Sequence, residues 1–347
     1  MSGTHSRGRA NTRLLLRLLI VIACLAALTW TVARLGPGQV YQVARRADPL
    51  WLILSPLPIF GRFLIWGFKW RRILGRRHPV PYGLTLRILI AGSFVNLTTP
   101  TAKLAGGLLR ASFIDRRYGW GLAAAYGRAL VDQATNATGT TALYGILALT
   151  VFFALPDLTG RAAFGASGAL VLAAVAAFIA LRPWGWRQVQ RPWLRRLLER
   201  ITPARFRGKA SGGPANWIQP IFYPLLGEGS RLTLASDILL GAVGFAPICL
   251  ANAMVVRALG IEANLWMVSA VVVVSYFASI TVGTWGGIGV TEAAMTGLYV
   301  QFGIPVEQAM AAALLHRAGL YLIVLVWGGL SLPRETRTRP SNETETG

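Results

Sequence analysis

Charged side chains are scarce within the long apolar runs of this sequence, and two groups of them stand in unusual surroundings. Lys103 and Arg110 flank Gly106-Gly107 in a stretch that begins Asn96-Leu-Thr-Thr-Pro-Thr-Ala-Lys. Two cations beside paired glycines and a helix N-terminus form a receptor for a phosphate, because backbone N–H groups, the positive dipole end and charge-assisted donors converge there. An anionic lipid headgroup fits that chemistry. Glu292 follows Gly286-Gly287-Ile-Gly-Val and starts a helix, where the dipole favours a carboxylate. Its role is open: a cap or a salt bridge to Arg317 on one reading, and on the other a proton-coupling site or a counter-ion that takes over a basic residue as a lipid leaves.

An ionised side chain at bilayer depth costs about 2.5 to 3.5 kcal/mol on insertion scales, so each such group is expected to face a cavity or a partner. Arg128 and Asp132 lie four apart on one helical face and read as a structural ion pair. Asp237 lies near a cytoplasmic helix end and reads as hydrated there. Arg62, inside an apolar run, reads equally as a snorkelling or helix-paired arginine and as a transport residue. Cys24 and Cys249 both fall in apolar runs and read as packing residues. The five Asp and three His give catalytic clusters little material. No Asp-x-Asp pair, His-Glu-x-x-His helix, Cys-x-x-Cys pair or Gly-Lys-Ser/Thr loop occurs. The expectation is a protein that is not an enzyme and uses no metal or cofactor.

The elements that must position these residues follow from composition. Of 347 residues 54% are hydrophobic and 14% charged, with mean hydropathy +0.51, which is not the balance of a soluble chain. The formal net charge of +22 raises nucleic acid as a partner, but the basic residues fall between the apolar runs, as at the cytoplasmic face of a membrane. We therefore expect an all-α polytopic integral membrane protein with no nucleic-acid partner. Six full spans are read at 14–32, 49–68, 121–155, 162–181, 232–256 and 308–332, the first an uncleaved anchor. Polar residues, Pro and glycines interrupt two further apolar stretches, 84–114 and 264–302. Each reads as a re-entrant pair of half-helices, the first entering from the cytoplasm and the second from outside, in an inverted-repeat arrangement. A re-entrant first stretch keeps the ten Lys and Arg of 182–231 cytoplasmic. Within that loop Trp186, Val189, Trp193, Leu197 and Ile201 suggest an interfacial helix. Residues 1–13 form a basic cytoplasmic N-terminus, 14–332 a single transmembrane domain, and 333–347 a disordered cytoplasmic tail, in the inner (plasma) membrane.

Two blocks resemble a known family. Thr99-Pro-Thr-Ala-Lys-Leu-Ala-Gly-Gly-Leu-Leu-Arg-Ala followed by Asp115-Arg-Arg-Tyr-Gly, and Gly286-Gly-Ile-Gly-Val-Thr-Glu-Ala-Ala-Met continued by Ile304-Pro-Val-Glu-Gln-Ala and Leu315-His-Arg, are similar to blocks of the lysylphosphatidylglycerol synthase transmembrane region, or flippase-like domain. The resemblance implies a helical flippase-like bundle that moves lipids or lipid-linked headgroups between leaflets. It implies Lys103, Gly106, Arg110, Glu292 and Arg317 as substrate-binding residues. Gly107 stands where the family's first block is acidic, Thr291 where its second block is often basic, and the prolines near the start of the second block are replaced around Gly283 and Trp285. The soluble aminoacyl-transferring domain of some relatives is expected to be missing. The leading expectation is thus a translocator of an anionic lipid. The alternatives are a lipid-modifying transferase or glycosyltransferase, and an accessory scaffold of a lipid or cell-envelope synthesis complex whose protein partner docks on 182–231.

Overall fold

With no water in a bilayer core, backbone polar groups must be satisfied within the chain, and long apolar runs cross it as helices. The computed structural model describes residues 37–99, 104–154, 161–194, 197, 218–282 and 289–331, and among these there are helices and no strands. We number the helices α1 (Pro37–Arg45), α2 (Pro49–Leu54), α3 (Pro56–Gly75), α4 (Tyr82–Thr98), α5 (Leu104–Tyr118), α6 (Leu122–Ala154), α7 (Arg161–Val189), α8 (Ile218–Leu226), α9 (Arg231–Val243), α10 (Ala246–Ala258), α11 (Leu265–Val282), α12 (Val290–Gln301) and α13 (Val306–Ser331).

Five stretches are long and apolar enough to span: α2 with α3, α6, α7, α9 with α10, and α13. They coincide with the five expected spans that fall among the described residues. The sixth, 14–32, lies outside them, as do Lys103 and the terminal segments 1–13 and 333–347. Leu57, Phe153, Leu170, Leu239 and Leu330 stand largely exposed on the outside, an apolar belt suited to lipid. Ile59, Trp70, Ile73, Ile248, Met295 and Tyr299 fill the interior.

Both interrupted stretches fold as helix hairpins. Helices α4 and α5 pack together, and so do α11 and α12. At 1.5 Å per residue α5 is about 22 Å long and α12 about 18 Å, both short of an apolar core about 30 Å thick. The open ends of each hairpin are drawn together: His78 and Tyr118 approach to 5.5 Å between ring centroids, Trp266 and Phe302 to 6.2 Å. The order long helix, hairpin, long helix occurs twice, as α3–α6 and as α9–α13.

Two sequence expectations change. Helix α3 does not end at Phe68 but runs to Gly75, which carries Lys69 and Trp70 into the bundle, both 0% exposed. Helix α7 runs past Leu181 through Pro183 to Val189, so Arg182, Trp186 and Val189 belong to a long helix and not to a separate interfacial one. Arg182 donates to the carbonyl oxygens of Leu225 at 2.7 Å and Ser230 at 3.1 Å, and also to that of Glu228. A cation there satisfies carbonyls left open at the C-terminal end of α8.

Candidate functional site

Residues seven apart on a helix sit about two turns along one stripe, and Arg62 and Lys69 on α3 and Arg76 at its C-cap are spaced in that way. Lys69 reaches into the middle of the bundle. Its ammonium lies 3.0 Å from Asp132 Oδ1 and donates to Thr135 Oγ1 at 2.9 Å, Asn136 Oδ1 at 2.5 Å and the Asp132 carbonyl at 2.9 Å, all on α6. Arg110 arrives from α5. Its Nη1 donates to Asp132 Oδ2 at 2.6 Å, and its guanidinium lies 4.7 Å from the Trp70 ring centroid. Exposure is 0% for Lys69, 4% for Arg110 and 1% for Asp132. One carboxylate therefore serves two buried cations, which leaves the cluster with a formal excess of positive charge.

Of the expected phosphate receptor, Gly106 and Arg110 fall among the described residues and Lys103 does not. Arg110 is inside as expected but is compensated by Asp132, and Lys69, expected in a cytoplasmic basic run, is the second cation on that carboxylate. Gly106 is a contact between helices: its N–H donates to Asn96 Oδ1 at 2.8 Å, and a Cβ there would collide with the Gly92 carbonyl oxygen and the Asn96 side chain. Only a glycine lets α4 and α5 approach this closely. Asp132 is not paired with Arg128. Arg128 makes two 2.8 Å bonds to Glu228 and a 3.0 Å bond to the Ile73 carbonyl, because a forked guanidinium matches a carboxylate that faces it better than one a turn along its own helix. Asp237 is buried and not hydrated: it pairs with Arg76, and with Arg72 at 3.6 Å.

In the second half, Glu292 is buried on the first turn of α12. Its Oε2 accepts the Gly289 N–H at 2.8 Å and its Oε1 accepts Arg317 Nε at 2.8 Å. The cap and the salt bridge are thus both formed. Arg317 also donates to Tyr321 Oη at 2.5 Å. The two halves share a plan with reversed charge: a cation on α5 meets an acid on the following span, and an acid on α12 meets a cation on the following span.

The helix ends bearing Arg72, Arg76, Arg128, Arg182 and Arg231 gather at one end of the bundle, tied by the contacts to Asp237, Glu228 and, for Arg231, the Ala180 carbonyl. A cavity of about 540 Å³ opens among α6, α8 and the end of α3, lined by Arg77, Trp120, Arg128 and Tyr223 among others. Arg77 lies 5.3 Å from the Trp120 ring centroid. Cys249 is buried, as a packing residue would be.

Comparison with known proteins agrees with this architecture. A "UPF0104 membrane protein" of Methanothermobacter thermautotrophicus is 22% identical over 172 residues, which is 47% of this chain and 48% of that protein. The chain thus spans about half the length of this curated relative. The family described as "Lysylphosphatidylglycerol synthase TM region" matches residues 14–328, and with a match over nearly its whole length the chain belongs to that family of multi-pass membrane proteins.

Proposed function

We propose that this protein moves an anionic lipid, or a lipid-linked anionic headgroup, between the leaflets of the cell's inner membrane, and that it makes and breaks no covalent bond. The observation that carries the reading is the excess of buried positive charge in the Lys69–Asp132–Arg110 cluster, beside an interrupted helix hairpin. Removing ions from water is costly, and a second buried cation on one carboxylate is hard to explain by stability alone. A negatively charged group passing between the helices would meet that excess. The cavity beside Arg77 and Trp120 offers a headgroup a place to gather at the basic end of the bundle. Family membership is compatible with such a role and does not specify it.

On this reading the basic end faces the cytoplasm, where Lys and Arg are retained and anionic lipid is met. Both termini lie on that side. The α4–α5 hairpin enters and leaves from the cytoplasm and the α11–α12 hairpin from the opposite side, so that interrupted helices line the path from both directions. The test is reconstitution of the purified protein into liposomes with fluorescent phosphatidylglycerol in both leaflets, followed by a membrane-impermeant quencher. Protein-dependent exposure of the inner-leaflet probe, slowed in Lys69→Gln, Arg110→Gln or Lys103→Ala, supports translocation. Unchanged exposure with and without protein refutes it.

A further inference from the structure

One half-buried cation takes no part in the pairs described above. Arg62 on α3 faces no carboxylate among the described residues, and its Nε has no hydrogen-bond partner. Aromatic faces hold it instead: its Cζ lies 3.8 Å from the Trp66 ring centroid and 5.3 Å from that of Phe245. A guanidinium stabilised through ring faces keeps the N–H groups on its edge available for a ligand.

The groups next to it are also unsatisfied. Tyr276 on α11 packs edge-on to Phe245 at 5.7 Å, and its hydroxyl is buried without a partner. His316 on α13 packs edge-on to Tyr276 at 6.4 Å, and neither ring nitrogen has a partner. Tyr276 is 8% exposed and His316 1%. Arg62 lies within electrostatic range of Tyr276, His316 and Arg317. Arg317 is already tied to Glu292, so among these neighbouring side chains Arg62 is the cation that faces no carboxylate of the described residues. Buried polar groups in native proteins are nearly always satisfied by protein, water or a ligand, and three neighbours left open together indicate a place for one. The set supplies a guanidinium N–H, a phenol O–H and an imidazole N–H, with one net positive charge and no carboxylate. That is a donor set for an anion and not for a cation.

We propose that Arg62, Tyr276 and His316 form a second phosphate-binding site, distinct from the Lys69–Asp132–Arg110 cluster. Arg62 provides the charge, and Tyr276 and His316 orient the phosphate oxygens. The inference rests on the proposed translocation only for the source of the phosphate, a lipid headgroup.

The test has two arms on the full chain. High-resolution electron cryomicroscopy of the protein in phosphatidylglycerol nanodiscs, and separately in maltoside detergent with inorganic phosphate, reads occupancy directly. Calorimetric titration in maltoside with short-chain phosphatidylglycerol or inorganic phosphate reads affinity in wild type, Arg62→Gln and Tyr276→Phe. Phosphate-sized density between Arg62 and Tyr276, with affinity lowered about 10-fold or more by Arg62→Gln and less by Tyr276→Phe, supports the site. Density in nanodiscs alone makes the source a lipid, and density in both arms a free phosphate as well. Water or no density in both arms overturns the site, even where Arg62→Gln does not fold. So does wild-type affinity in both variants. A site that binds in a protein that moves no lipid refutes translocation alone, whereas translocation at the wild-type rate by Arg62→Gln with the site empty refutes the site alone.

Discussion

Replacing Asp132 with Asn removes the charge of the carboxylate that bridges Lys69 and Arg110 while keeping its shape. Asp132 accepts from Arg110 at 2.6 Å and lies 3.0 Å from Lys69, and all three side chains are buried. Breaking a buried ion pair by removing one partner costs about 3–5 kcal/mol. Lys69 keeps Thr135, Asn136 and a carbonyl as acceptors, so the lower end applies: about 3 kcal/mol, or roughly a hundredfold in the folding equilibrium. Lys69→Met leaves Arg110 and Asp132 as a one-to-one pair and costs less. The double variant has one uncompensated cation where Asp132→Asn has two, so it is less destabilised than the two single effects summed, with a coupling of about 1 kcal/mol or more. Thermal unfolding of the four purified proteins in detergent, followed by size-exclusion fluorescence, gives the cycle. Strictly additive effects, or wild-type stability in Asp132→Asn, would refute the reasoning that one carboxylate holds two cations.

Gly106→Ala places a methyl group against the Gly92 carbonyl and Asn96 and lowers stability by about 1–3 kcal/mol, whereas Gly297→Ala, where nothing lies within 4 Å, leaves stability unchanged or slightly raised. The same unfolding assay separates them, and equal effects would remove the close-contact explanation for Gly106. Glu292→Gln keeps an acceptor for the Gly289 N–H but leaves Arg317 without its carboxylate, and is expected to cost about 3–5 kcal/mol. A Glu292→Gln protein that unfolds with wild type contradicts a structural role for the pair. In a background without Cys24 and Cys249, Glu262→Cys is labelled by an impermeant maleimide added outside whole cells and Arg187→Cys is not. The reverse pattern inverts the proposed orientation.

The five spans among the described residues were legible because lipid imposes a length and an apolar composition on every crossing helix, and the two interruptions because Asn96-to-Gly107 and Gly283-to-Gly289 contain residues that no lipid-facing helix favours. The ion pairs were not, since they join residues distant in sequence. Arg128 and Asp132 satisfy the local i, i+4 rule, yet each finds its partner elsewhere, at Glu228 and at Lys69 with Arg110. Lys69 was hidden by the basic residues that follow it: Lys69-Trp-Arg-Arg reads as a membrane-flanking run, and only its seven-residue spacing from Arg62 and Arg76 hints that one face of α3 carries cations inward. The Glu292–Arg317 pair is the exception, readable across 25 residues because a carboxylate at a helix start in one apolar stretch is followed by a lone arginine in the next span.

The most direct measurement compares transbilayer movement of fluorescent phosphatidylglycerol with that of its phosphatidylcholine counterpart in the same proteoliposomes. Buried cation excess as the basis of transport predicts that the protein speeds the anionic probe more than the zwitterionic one, and that Lys69→Gln, while still folded, abolishes the difference. Equal movement of both probes, or an anionic preference that survives Lys69→Gln unchanged, would contradict it.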